Sequence, residues 1–354
     1  MDDRRRETHI MRNKSIDILK SICAFLIVCI HIPFPGTVGE YFTTLTRIAV
    51  PLFFMITGYF FSDVMKKNGE VKQIRKILRL YIEANLLYFF WKLFLAVLRS
   101  NTAEFFQSSF SIKAVVKFLF LNESPFNGHL WYLGAILYVL ITVLIADRLN
   151  CRKLLYVITP ALLLGDLILG KYALLLWNRE FPYIIVRNFL FVGIPYFCIG
   201  RLIKDGLGQK FNRRTLSVFL VLFSFTSLLE RFLLISAGMN ATRDHYISTT
   251  LLAVAVLLFT LKSNSGEENT NHYKNLSGGG GYRLTDLMAV IGHRYSTWLY
   301  ILHPIFITCI GMVMSKIGLY EVYRFVAPIV VYISTLVFLM IVDKVKNYYI
   351  DRRL

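Results

Sequence analysis

Carboxylates are scarce in this chain: 22 Asp and Glu stand against 40 Lys and Arg, a formal net charge of +18. In a soluble domain that balance would suggest nucleic acid. Here all charged residues together make up only 18% of the chain against 56% hydrophobic ones, with a mean hydropathy of +0.54. The basic residues therefore punctuate apolar runs long enough to cross a bilayer, and the expected partner is lipid, not nucleic acid. No small-residue cleavage site follows the first apolar run, which argues against a removable signal peptide. There is no CxxC and no cluster with metal-ligand spacing, so no metal is expected. Cys23, Cys29, Cys198 and Cys309 fall in apolar runs as small packing residues, and Cys151 falls in a loop. A clear internal repeat, common in transporters, is also lacking.

What is present is a succession of helical apolar runs. They predict an all-α fold, a polytopic bundle of about ten membrane-spanning helices at about 15–33, 42–63, 77–98, 128–147, 154–170, 187–203, 215–235, 247–262, 288–314 and 325–343. Residues 1–14 form a basic arm, 15–343 the membrane domain and 344–354 a basic tail. Residues 65–76 (MKKNGEVKQIRK) read as a compact basic loop, and 112–121 (IKAVVKFLFL) as an amphipathic helix lying in the interface. The polar stretch 263–283, with four consecutive glycines from Gly278, reads as a flexible linker. Roughly 26 of the 40 Lys and Arg fall on the amino-terminal side and roughly 9 on the other, which predicts both termini in the cytoplasm of a multi-pass plasma-membrane protein, most naturally a bacterial one.

The first helix, IDILKSICAFLIVCIH from Ile16 to His31, carries a cation near one end and a histidine at the other. Lys20 and His31 are eleven residues apart, about three helical turns, so they share a face at roughly 16 Å separation along the axis. Two readings follow from the helix alone. Lys20 snorkels to the headgroups and His31 marks the opposite interface, or both face a polar path through the bundle. Glu83, Lys92, Asp166, Glu230 and Arg231 are further ionisable groups in or near spans, expected to face the interior.

Five patterns occur in order: Lys20 with His31; Arg47 with FFMITGY from Phe53 to Tyr59; Arg75 with Arg79; GHLWYL from Gly128 to Leu133; and YSTWLYILHP from Tyr295 to Pro304. Together they resemble the family-3 membrane acyltransferases, over nearly the whole chain. The membrane domain of vancomycin-resistance serine racemases is similar in the same motifs, and its soluble racemase portion is expected to be missing here, eleven residues remaining after the last span. The family usually has arginine where this chain has Lys20, which keeps the charge but loses the planar fork. Its S-G-Y/F appears as Thr57-Gly58-Tyr59.

The resemblance implies acyl transfer, usually of acetyl, from acyl-coenzyme A to a hydroxyl of an extracytoplasmic or lipid-linked glycan, that is O-acetylation in polysaccharide modification. Such chemistry needs a base for the hydroxyl proton, donors for the developing oxyanion and cations for the donor's phosphates. His31 is the expected base, since imidazole titrates near neutral pH, with Arg47 and His129 as further catalytic groups. Lys20, Arg75 and Arg79 are expected to hold the donor. Tyr59, Trp131 and His303 are expected to contact substrate. Cell-envelope biosynthesis proteins are the expected partners. The competing reading is a transporter-like domain that handles a small substrate such as serine for a partner racemase.

Overall fold

The computed structural model describes residues 13–241, 244–263 and 283–351, the side chains through residue 348. The described residues form no strand. The helices are α1 (Lys14–His31), α2 (Gly36–Thr46), α3 (Ala49–Lys66), α4 (Glu70–Leu98), α5 (Thr102–Ser109), α6 (Ile112–Leu121), α7 (Trp131–Arg148), α8 (Arg152–Leu169), α9 (Ala173–Trp177), α10 (Ile194–Lys204), α11 (Arg213–Ser236), α12 (Ile247–Lys262), α13 (Leu284–Val290), α14 (Ser296–Lys316), α15 (Tyr320–Arg324) and α16 (Ala327–Asp351). Most of the expected arm and the glycine-containing linker lie outside the described residues. The start of the expected basic tail, 344–351, continues α16.

Each of the ten expected helices has a counterpart, but six among the described residues are long and apolar enough to cross a membrane. The other four have identifiable reasons. Lys14, Asp17 and Lys20 interrupt the apolar face of α1, and Arg152, Lys153 and Asp166 do the same in α8. α12 has 16 residues, and α10 has 11 after the π-helical turn Phe189–Gly193.

Two expected boundaries are corrected. Residues 70–76 are helix and not loop, because the turn closes at Gly69 and the straight-chain residues after it favour helix. The expected helix over 42–63 breaks at Arg47–Ile48. Pro51 explains the break: it has no N–H for the Arg47 carbonyl four residues back, and its ring crowds that carbonyl. α6 forms where an interfacial helix was expected, and none of its residues is buried.

α1 is the central helix, touching α2, α3, α12, α13, α14 and α16. Asn13 caps it, accepting from Ile16 N at 3.1 Å, and Asp17 in the first turn complements the helix dipole. α3 and α10 cross with their backbones in contact. A Cβ added to Gly58 would fall far inside van der Waals contact with the Phe197 carbonyl, and one added to Gly200 would do the same to the Met55 carbonyl. Small residues that let backbones touch are the membrane's means of packing helices, since burial of apolar surface gives no advantage over lipid. Beside this crossing lies a buried ion pair, Arg201 to Asp147 at 2.8 Å, flanked by Lys204–Asp63 at 2.8 Å and Arg152–Asp205 at 2.9 Å. These groups cluster at the end of the bundle that carries the basic turns. Apolar side chains such as Phe90 and Phe94 on α4 and Val221 and Phe225 on α11 remain exposed, the surface that acyl chains cover in a bilayer.

Gly58→Ala or Gly200→Ala is expected to force α3 and α10 apart, at a cost of about 1–3 kcal/mol for each overpacked site. Thermal unfolding of the detergent-solubilised variants checks this, and unchanged midpoints in both would rule out so close a crossing.

Candidate functional site

At the end of the bundle opposite the buried ion pair, several chain segments meet. α1 stops at His31 because Ile32, before Pro33, leaves the helical conformation (φ −137°, ψ 86°). The break after α2 leaves Arg47 facing the same space, where its guanidinium pairs with Asp244. Asn122, in a left-handed conformation and fully buried, joins two other segments: its Nδ2 donates to the Trp131 carbonyl at 3.1 Å, and its Oδ1 accepts from Phe189 N at 3.0 Å. The α7 start, with His129 and Trp131, is thereby tied to the segment carrying Arg187. Tyr300 on α14 donates to the His129 carbonyl.

These segments enclose a cavity of about 40 Å³ lined by His31, Arg47, His129, Trp131, Arg187 and His245, with Tyr132, Tyr300 and Asp244 among the rest. That volume admits about three water-sized groups, at roughly 10–15 Å³ each. Three imidazoles cluster at its wall. The His31 and His303 ring centroids are 5.0 Å apart, His129 and His303 5.6 Å, and His31 and His129 6.2 Å. His31 is exposed, His129 and His303 are buried. His303 Nδ1 lies 3.1 Å from the Leu299 carbonyl, while its Nε2 and both ring nitrogens of His129 have no hydrogen-bond partner among the described residues. Among the described residues no group of three or more His, Cys, Asp or Glu is arranged to hold a metal ion.

Four of the expected site residues, His31, Arg47, His129 and Trp131, thus line one cavity. His303 stands behind it, its ring against those of His31 and His129. Tyr59 does not reach it: its ring lies 4.8 Å from the Lys204 ammonium at the basic end, next to Gly58, which packs against α10. Lys20 pairs with buried Asp17 at 3.0 Å, deep on α1. Arg75 and Arg79 are exposed on α4, and Arg79 pairs with Glu83 at 2.7 Å. The three expected donor-binding cations are therefore apart from the cavity.

Arg187, Asp244 and His245 line the cavity although no sequence pattern singled them out. Asp166 was visible only as an ionisable residue in a span. Its partner is His245, with Nδ1 2.7 Å from Oδ2, 79 residues away. A carboxylate on Nδ1 fixes the imidazole tautomer and orientation. Glu230 and Arg231 have separate partners, as adjacent residues on a helix must: Glu230 accepts from Ile247 N and Ser248 N at the start of α12, and Arg231 pairs with Glu40 at 3.0 Å.

A helical membrane protein with one polar, histidine-rich site at an end of its bundle is the class this arrangement defines. The chain belongs to the acyltransferase-3 family, whose profile, described as an acyltransferase domain, matches residues 13–342. It is also similar to the serine/alanine racemase of Enterococcus gallinarum, 25% identical over 336 residues, 88% of this chain and 43% of that protein. The amino-acid racemase of Enterococcus faecalis is 27% identical over 244 residues, 62% of this chain and 34% of that protein. The chain thus spans less than half the length of these relatives. No solved structure matches.

Diethyl pyrocarbonate is expected to modify His31 well before His129 or His303, because only His31 is exposed. Mass spectrometry of the modified peptides checks the order; equal rates at all three would mean that the cluster is open to solvent throughout.

Proposed function

We propose that the chain is an integral-membrane O-acyltransferase that moves an acyl group, acetyl from acetyl-coenzyme A, to a hydroxyl of an extracytoplasmic or lipid-linked glycan in the bacterial plasma membrane. The observation that carries this reading is the meeting of His31, Arg47, His129 and Trp131 on one cavity in a chain of this family. In this reading the His31 imidazole takes the proton of the acceptor hydroxyl as its oxygen attacks the thioester carbonyl carbon. Arg47 and a ring N–H of His129 stabilise the oxyanion; the unpartnered nitrogens of His129 leave it free for that role. The carbon–sulfur bond then breaks, and the proton passes from His31 to the departing thiolate.

The donor's phosphates are proposed to sit toward the basic end. Arg75 and Arg79, exposed near the start of α4, are placed to meet an anion from solution, and Lys20 lies about three turns before His31 on α1. The racemase names of both relatives favour a second reading, in which this domain handles a small amino acid such as serine.

His31→Gln keeps size and hydrogen bonding but supplies no base. It is expected to purify and unfold like the parent while acetyl transfer to a glycan acceptor falls by roughly 10²–10⁴-fold. Transfer from radiolabelled acetyl-coenzyme A in proteoliposomes measures this, with radiolabelled serine uptake run in parallel. Retention of transfer within a few-fold excludes His31 as the base; serine uptake by a parent that never transfers acetyl moves the protein to the second reading.

A further inference from the structure

Arg187 is the one cavity-lining cation without a carboxylate partner among the described residues, although carboxylates are close by. Each of those is engaged elsewhere: Asp244 by Arg47, Asp166 by His245 at 2.7 Å, and Glu123 by Lys117 at 3.6 Å. Among the described residues no side-chain acceptor takes the Arg187 guanidinium either. It is held instead by rings, 4.4 Å from the Tyr183 centroid and 5.5 Å from that of Trp131. The backbone beside it is fixed by Asn188. That side chain accepts from Leu190 N at 2.9 Å and Phe191 N at 3.1 Å and donates to the Ile184 and Ile185 carbonyls at 3.1 and 2.8 Å.

A half-buried guanidinium with no counter-charge is costly at the edge of a membrane protein's interior. Cation–π contact holds such a group in place without neutralising it. The remaining N–H donors form a planar fork, the geometry that meets a carboxylate or a phosphate in two parallel hydrogen bonds. Arg187 shares its cavity with His31, so an anion on its fork would set a neighbouring hydroxyl of the same molecule beside the imidazole.

We infer that Arg187 is an anion anchor, and that the molecule acted on in this cavity carries a carboxylate or phosphate close to its reacting hydroxyl. This deepens the acyltransferase reading by naming the acceptor class, an acidic sugar or a phosphate-bearing polyol. Trp131 and Tyr183 act as positioning residues, stacking on the guanidinium and orienting its fork.

The test uses the full chain in lipid nanodiscs and two matched pairs of probes: methyl β-D-glucuronide against methyl β-D-glucoside, and glycerol 1-phosphate against glycerol. Calorimetric titration is expected to show one anionic member binding at least about tenfold more tightly than its neutral partner, with an affinity that falls as salt rises. A glucuronide preference identifies the carboxylate source and a glycerol phosphate preference the phosphate source. Arg187→Gln should lose about ten- to a hundredfold of that affinity, the range of a charge-assisted contact. Arg187→Lys, which keeps the charge without the fork, should recover part of it. Equal binding within both pairs, or an Arg187→Gln variant with the parent's thermal midpoint and undiminished anion affinity, overturns the inference. A parent that binds the anion through Arg187 but never moves acetyl from acetyl-coenzyme A keeps the anchor and overturns the acyltransferase reading alone.

Discussion

Backbone contact between α3 and α10 is the constraint on which the rest of this bundle depends. In lipid, apolar side chains gain little by facing one another, so helices hold together where small residues bring backbones within dispersion range. Gly58 and Gly200 supply that approach, each facing a carbonyl of the other helix. The crossing also determines what stands at the two ends. Toward one end it sets the buried Arg201–Asp147 pair, and removing either partner of such a pair leaves an uncompensated charge, a penalty of about 3–5 kcal/mol. Toward the other end, α3 begins just after Arg47 and α10 follows the π-helical turn after Arg187, so two arginines come to the same cavity from adjoining elements.

The cavity concentrates polar groups that a purely structural bundle would avoid. Buried imidazole nitrogens without partners among the described residues, on His129 and His303, carry a desolvation cost of about 1–3 kcal/mol each. Around them the polar side chains are engaged with care: Arg47 with Asp244, His245 with Asp166, and Tyr300 with the His129 carbonyl. The groups left unengaged among the described residues, the His129 nitrogens, His303 Nε2 and the Arg187 fork, are those that proton transfer and anion recognition would use. Exposure divides the imidazoles further, since His31 alone is open while the other two stand behind it.

Several cavity-lining residues could be brought together from the sequence because their placement is a local matter. His31 ends α1 by virtue of Pro33, and the GHLWYL segment opens α7, so depth along a helix was enough to put both at one end. Arg47 was assigned to the right end but to an unbroken helix. The break follows from Pro51, a local signal that the long apolar run around it obscured. Tyr59, expected to contact substrate, lies away from the cavity beside Lys204. The neighbouring Gly58 serves helix packing, and a glycine's role in a crossing shows only when the opposing backbone is known.

By itself the sequence determined the class: hydropathy runs of helical length make an all-α membrane protein, since lipid demands that each segment satisfy its own backbone hydrogen bonds. Ordered motifs determined the family, and helix depth brought His31, Arg47, His129 and Trp131 to one level. Tertiary structure alone decided which ionisable groups neutralise one another and which do not. Asp166 and His245 are 79 residues apart, and Arg47 and Asp244 are 197 apart. Pairing across such separations depends on how helices rotate and cross, which hydropathy does not encode because both faces of a membrane helix are apolar. Arg187 is therefore an ordinary basic residue at a helix start in the sequence, and an uncompensated charge only once every nearby carboxylate has found its partner.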